Sequence, residues 1–118
     1  MDSAHLLSAI ASQWDDDIVP QLTEYIRIPA KSPHFDPQWE TSGHIERALR
    51  LAETWVRAQP VRGMTMEIVR LPGRAPLLYF DVAGATSRGD RSGLLYGHLD
   101  KQPEIVGWRD GHGPWDTL

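Results

Sequence analysis

No cysteine occurs among the 118 residues of the chain. That absence removes a disulfide frame, a thiolate nucleophile and every sulfur-built zinc site, and it fits a reducing compartment. Any metal would have to be held by histidine and carboxylate. Cationic excess is missing too: 12 Lys plus Arg stand against 16 Asp plus Glu, a net charge of -4. A nucleic acid bound mainly through its phosphates is therefore not an expected partner. No apolar run approaches the ~20 residues of a membrane span, and the N-terminus carries Asp2 and His5 where a secretory leader would be basic and then apolar. These absences give the expectation of a soluble, cytoplasmic protein with neither nucleic acid nor membrane as partner. The stretch Gly84–Asp90 has two glycines but neither matches a phosphate-binding loop nor opens a helix.

What is present reads as a small α/β inventory. Leu6, Leu7, Ile10, Ala11, Trp14 and Ile18 recur at three- and four-residue intervals and continue through Leu22, Tyr25 and Ile26. The spacing predicts an amphipathic helix over residues 3–28, with Ser3 capping its first turn and a kink or restart at Pro20, which lacks an amide donor. The acidic run Asp15–Asp17 beside it reads as a solvated face. Residues 30–40 carry Pro33 and Pro37 without periodicity and predict a loop, pinned by Phe35 and Trp39, with His34 on the surface. Ile45, Ala48, Leu49, Ala52, Trp55 and Val56 then predict a second helix over 42–58, capped by Thr41 or Ser42, with His44 facing solvent in its first turn.

Met64–Leu71 partly alternates and Leu77–Val82 follows a Pro72-Gly73 turn, so strands over 64–71 and 77–83 should pair antiparallel. The chain then reaches Ser92-Gly-Leu-Leu-Tyr-Gly-His-Leu-Asp-Lys-Gln-Pro-Glu104. Its apolar run, bounded by glycines, predicts a central strand over 93–97 covered on both faces, with His98 and Asp100 delivered at its carboxyl end. Pro103 blocks further ladder bonds. Taken alone, His98-x-Asp100 leaves two readings open: a structural histidine, or an imidazole metal ligand whose orientation the carboxylate controls. Ile105–Leu118, with Gly107, Trp108, Gly111, Gly113, Pro114 and Trp115, should be irregular with aromatic anchors.

Leu94-Leu-Tyr-Gly-His-Leu-Asp-Lys-Gln-Pro-Glu104, Trp108 and the Gly113-Pro114-Trp115 step closely resemble the first metal-binding motif of one zinc metallopeptidase family. That family, M-twenty, includes carnosinase-type dipeptidases, aminoacylases and glutamate carboxypeptidase. The upstream order is similar as well: a long helix ending near Ile28-Pro29-Ala30-Lys31-Ser32-Pro33, a second helix, an antiparallel pair, then the motif. The resemblance covers the whole chain, and its specific part is Gly97 to Trp115. It implies the N-terminal part of a three-layer metallopeptidase catalytic domain spanning residues 1–118. His98 would ligate one of two zinc ions, with cobalt or manganese as alternative metals, and Asp100 would be the catalytic acid that orients or tunes the site. The implied reaction is hydrolysis of a peptide or N-acyl amide bond in a small substrate, dipeptides foremost.

Lys101 stands where the family often has a smaller residue, and Trp115 where Phe is common. The family's bridging aspartate, glutamate pair, later aspartate and distal histidine would lie beyond Leu118, as would the lid domain that often mediates dimerisation, so the complete enzyme would form a homodimer through absent residues. The expectation is an incomplete catalytic domain, silent by itself. The rival expectation is a non-enzymatic, truncated or decayed product with a structural or interaction role.

Overall fold

The computed structural model describes residues 2–84 and 92–117. Its elements fall into two compact units, Met1–Pro29 with Pro103–Leu118, and Ala30–Gln102. Helices and a two-stranded antiparallel sheet make the chain a mixed α and β protein. Among the described residues no helix is long and apolar enough to cross a membrane.

In the first unit, helix α1 spans Ser3–Gln13, a π turn spans Trp14–Ile18, and helix α2 spans Val19–Ile26. The N-cap is Asp2 rather than Ser3: its carboxylate accepts from the Ala4 amide at 3.1 Å, which satisfies one of the donors a helix start leaves open. The interruption expected at Pro20 occurs just before it. A proline ring crowds the carbonyl four residues back and offers no amide, and the wider π turn relieves both, with Val19 N–H reaching Trp14 O. Pro29 limits the conformation of Ile28, and the helix ends at Ile26. Residues 103–117 form turns without ladder bonds, including His112 N–H to Arg109 O at 3.0 Å.

In the second unit the loop after Ala30 is organised by Asp36. Its Oδ1 accepts from the Gln38 amide at 2.9 Å and its Oδ2 from the Ser42 hydroxyl at 3.3 Å, the local bonding that makes an Asp-Pro step a turn signal. Trp39 is half-buried at the start of a one-turn helix, α3 (Trp39–Ser42), whereas Phe35 is exposed and pins little; its ring meets His34 edge-on at 4.9 Å. His34 lies on the surface as expected.

Helix α4 runs His44–Ala58 and is preceded by Gly43 at φ 75°, so neither Thr41 nor Ser42 caps it. A left-handed residue is needed to break α3 from α4, and glycine adopts it without a Cβ penalty. The predicted apolar stripe is the buried side: Ala48 and Leu49 are core, with Ile45, Ala52, Trp55 and Val56 half-buried. His44 departs from its expected solvent position, since its Nδ1 is buried without a hydrogen-bond partner. On the same helix Glu53 is clamped by Arg50 at 2.6 Å and Arg57 at 2.9 Å. Hydrogen bonds from Arg50 and then Arg57 hold its carboxyl below the usual carboxylate range.

Strands β1 (Met64–Val69) and β2 (Leu77–Val82) pair antiparallel, from Met64↔Val82 to Val69↔Leu77, as the turn chemistry predicts. Arg70 at the end of β1 reaches Glu46 of α4 at 2.8 Å. Met64, Met66 and Ile68 are half-buried and alternate with exposed Thr65 and Glu67, so β1 has one covered face. In β2, Tyr79, Phe80 and Val82 are exposed.

The strand expected over 93–97 does not form. Residues 92–97 carry no ladder, and Leu94, Leu95 and Tyr96 are 92%, 92% and 87% exposed. An apolar run becomes a central strand only where neighbouring strands satisfy its amides and cover its faces. The described residues supply neither. Of the expected Gly84–Asp90 loop, all but Gly84 lies outside the described residues, as do Arg91 and Leu118.

Candidate functional site

The segment bearing His98 is tied to the unit at Lys101. Lys101 pairs with Lys31 in an isolated parallel bridge: the Lys101 amide donates to Ala30 O at 2.8 Å and the Ser32 amide to Lys101 O at 2.9 Å. Pro103, two residues on, has no amide with which to extend the ladder. The bridge therefore anchors the motif to the residues just after Pro29, within the unit Ala30–Gln102. His98 thus stands in irregular chain three residues before a bridge and not at the end of a regular strand.

His98 Nδ1 lies 2.9 Å from the backbone oxygen of Asp100 and 3.1 Å from its carboxylate Oδ1. Both partners are acceptors, so Nδ1 carries the hydrogen and donates to them. In the neutral ring the lone pair is then left on Nε2. A carboxylate holding one imidazole nitrogen so that the other can bind a metal is the arrangement common around metal-ligating histidines. The His98 side chain is 63% exposed and that of Asp100 35% exposed, so the pair is accessible from solvent. The i, i+2 spacing brings these two groups together as the sequence suggests.

The donor set stops there. Among the described residues no group of three or more His, Cys, Asp or Glu side chains is placed to hold a metal ion. Protein-held zinc takes three or four ligands, so a zinc ion held by these residues alone does not fit. His34 and His44 belong to the turn and to α4 described above, and neither joins His98. His112 lines a cleft of about 650 Å³ inside the first unit, together with Thr23, Ile26, Trp108 and Asp116. Sequence reasoning missed two features of this region: the Lys31–Lys101 bridge, which no local pattern encodes, and Asp36, whose place before Pro37 was the available signal.

No protein-family model matches the chain, and no curated protein matches it significantly.

Proposed function

We propose that the chain supplies one imidazole ligand, His98, and its orienting carboxylate, Asp100, to a di-zinc hydrolase of the M-twenty type that cleaves peptide or N-acyl amide bonds of small substrates. Within that proposal the chain is the N-terminal part of a three-layer catalytic domain, acts in the cytoplasm, and belongs to an enzyme that dimerises through residues it does not contain. The observation that carries the reading is the pair of contacts from His98 Nδ1 to Asp100, which leave Nε2 as the ligating nitrogen. The similarity of Gly97 to Trp115 to the family motif supports it. When bound, the metals would polarise the scissile carbonyl and make bound water more acidic. Asp100 holds the ring and its tautomer through the hydrogen on Nδ1. The remaining ligands and the general base must come from outside the described residues.

The test uses an enzyme that carries this segment together with the missing ligands. His98→Ala removes a first donor, so zinc content and amide hydrolysis should fall together. Asp100→Asn keeps the shape and loses the charge, so most of the metal should remain while turnover drops by about 10–100-fold. Full zinc occupancy and full turnover in the His98→Ala enzyme would overturn the proposal.

A further inference from the structure

Asp110-Gly111 is the single Asp-Gly step of the chain, which contains no asparagine. It falls in a tight turn of the first unit. The His112 amide donates to Arg109 O at 3.0 Å, Gly111 sits at φ 78°, and Asp110 keeps a negative φ, the combination of a type II turn over residues 109–112. Glycine suits the third position because it has no Cβ. Among the described residues neither the Gly111 amide nor the Asp110 carboxylate has a polar partner, and both residues are exposed. A Cβ built on Gly111 would meet nothing within 4 Å, so the space around its nitrogen is open. We propose that Asp110 is a modification site, isomerising spontaneously to a β-linked isoaspartate through a cyclic imide. The reaction uses no residue of the His98 segment and does not depend on the metal reading.

The Gly111 nitrogen attacks Cγ of Asp110: an N–Cγ bond forms, a Cγ–O bond breaks, and the hydroxyl leaves with the amide hydrogen as water. Water then adds to one of the two imide carbonyls. Opening at N–Cγ restores aspartate, whereas opening between the main-chain carbonyl carbon of Asp110 and the Gly111 nitrogen leaves the chain running through Cγ. Only water is lost and regained. The product carries one more backbone carbon, so the turn can no longer close on the same Arg109–His112 hydrogen bond. Arg109 and His112 both line the cleft of the first unit, which the modification would therefore reshape. Other aspartates lack the combination. Asp36 precedes Pro37, whose nitrogen has no hydrogen to lose, and its carboxylate is held by Gln38 and Ser42. Asp116 is exposed, but β-branched Thr117 crowds the attacking nitrogen.

The 118-residue chain is aged at neutral pH in water enriched in heavy oxygen, then cut after lysine so that residues 102–118 come off as one peptide. Electron-transfer fragmentation locates isoaspartate within it. The expected result is isoaspartate at Asp110 carrying solvent oxygen, preceded by a species lighter by one water, with Asp116 in the same peptide unchanged. Conversion should reach at least about a tenth of the rate in a synthetic peptide of residues 106–114, because the turn leaves both reacting groups open. The His112 amide signal should move in step with conversion. Asp110→Glu, which keeps the charge but cannot form the same ring, should give none while its His112 amide stays in place. An Asp110 that remains intact while the free peptide converts, an equal yield at Asp116, or isoaspartate without solvent oxygen would overturn the proposal.

Discussion

At the scale of single residues, the His98–Asp100 pair is what the spacing encodes, because at two positions' separation the ring nitrogen reaches both the carboxylate and the carbonyl of the second residue. Asp100 therefore supplies two acceptors, and they can be separated. Asp100→Ala removes Oδ1 and keeps the backbone oxygen, so we expect His98 to retain the Nδ1–H form only in part, measurable as an intermediate pair of ring nitrogen shifts by NMR. A ring unaffected by Asp100→Ala would mean that the backbone oxygen alone sets the tautomer and that the carboxylate is a bystander. Cap residues were less legible. Ser3, Thr41 and Ser42 all have the right chemistry, but Asp2 is one residue earlier with a stronger acceptor, and Gly43 replaces a side-chain cap by a left-handed turn.

At the scale of elements, the helices and the hairpin were legible because each is specified locally. The 3.6-residue spacing of Ala48, Leu49, Ala52 and Val56 names the buried side of α4, and Pro72-Gly73 with the flanking apolar runs names the β1–β2 pair. The expected strand over 93–97 was misplaced for the opposite reason: a central strand is specified by its neighbours, and no property of Leu94, Leu95 and Tyr96 supplies them. Helix α4 also carries a pH dependence. Glu53 and Glu46 are both held below the usual carboxylate value of 4.5, Glu53 chiefly by Arg50 and Glu46 chiefly by Arg70. A carboxylate with a depressed folded-state pKa contributes stability that is present above the unfolded value and is lost as pH falls through the folded one. Helicity should therefore hold from neutral pH down to about 4.5 and decline below it, and Glu53→Gln should flatten that acid limb in circular dichroism. An identical acid limb in wild type and Glu53→Gln would show that the Arg50–Glu53–Arg57 contacts contribute nothing to the helix.

At the scale of the whole chain, apolar side chains are left in water on several elements: Leu6, Leu7, Ile10 and Trp14 near the N-terminus, Tyr79, Phe80 and Val82 on β2, and Leu94, Leu95 and Tyr96 before the motif. Buried apolar residues are correspondingly few among the described residues: Ile28 in the first unit, and Ala30, Ala48 and Leu49 in the second. Unpaired strand edges and exposed apolar runs recruit other chains. We expect the isolated chain to self-associate at micromolar concentration and to unfold over a broad range, with Leu94→Ser and Leu95→Ser raising the soluble fraction. A sharp cooperative melt of a monomer would contradict this. What the sequence conveyed about chemistry was one imidazole and a carboxylate two residues on, and the structure places the two within hydrogen-bond reach. If His98 offers Nε2 while Asp100 holds Nδ1–H, long-range proton–nitrogen NMR of the His98 ring at about pH 8, where imidazole is ordinarily neutral, reads both nitrogens. We expect a protonated Nδ1 and an unprotonated Nε2 whose resonance alone moves when zinc is added, with weak affinity because one donor is supplied; a hydrogen on Nε2, or zinc acting at Nδ1, would refute the assignment.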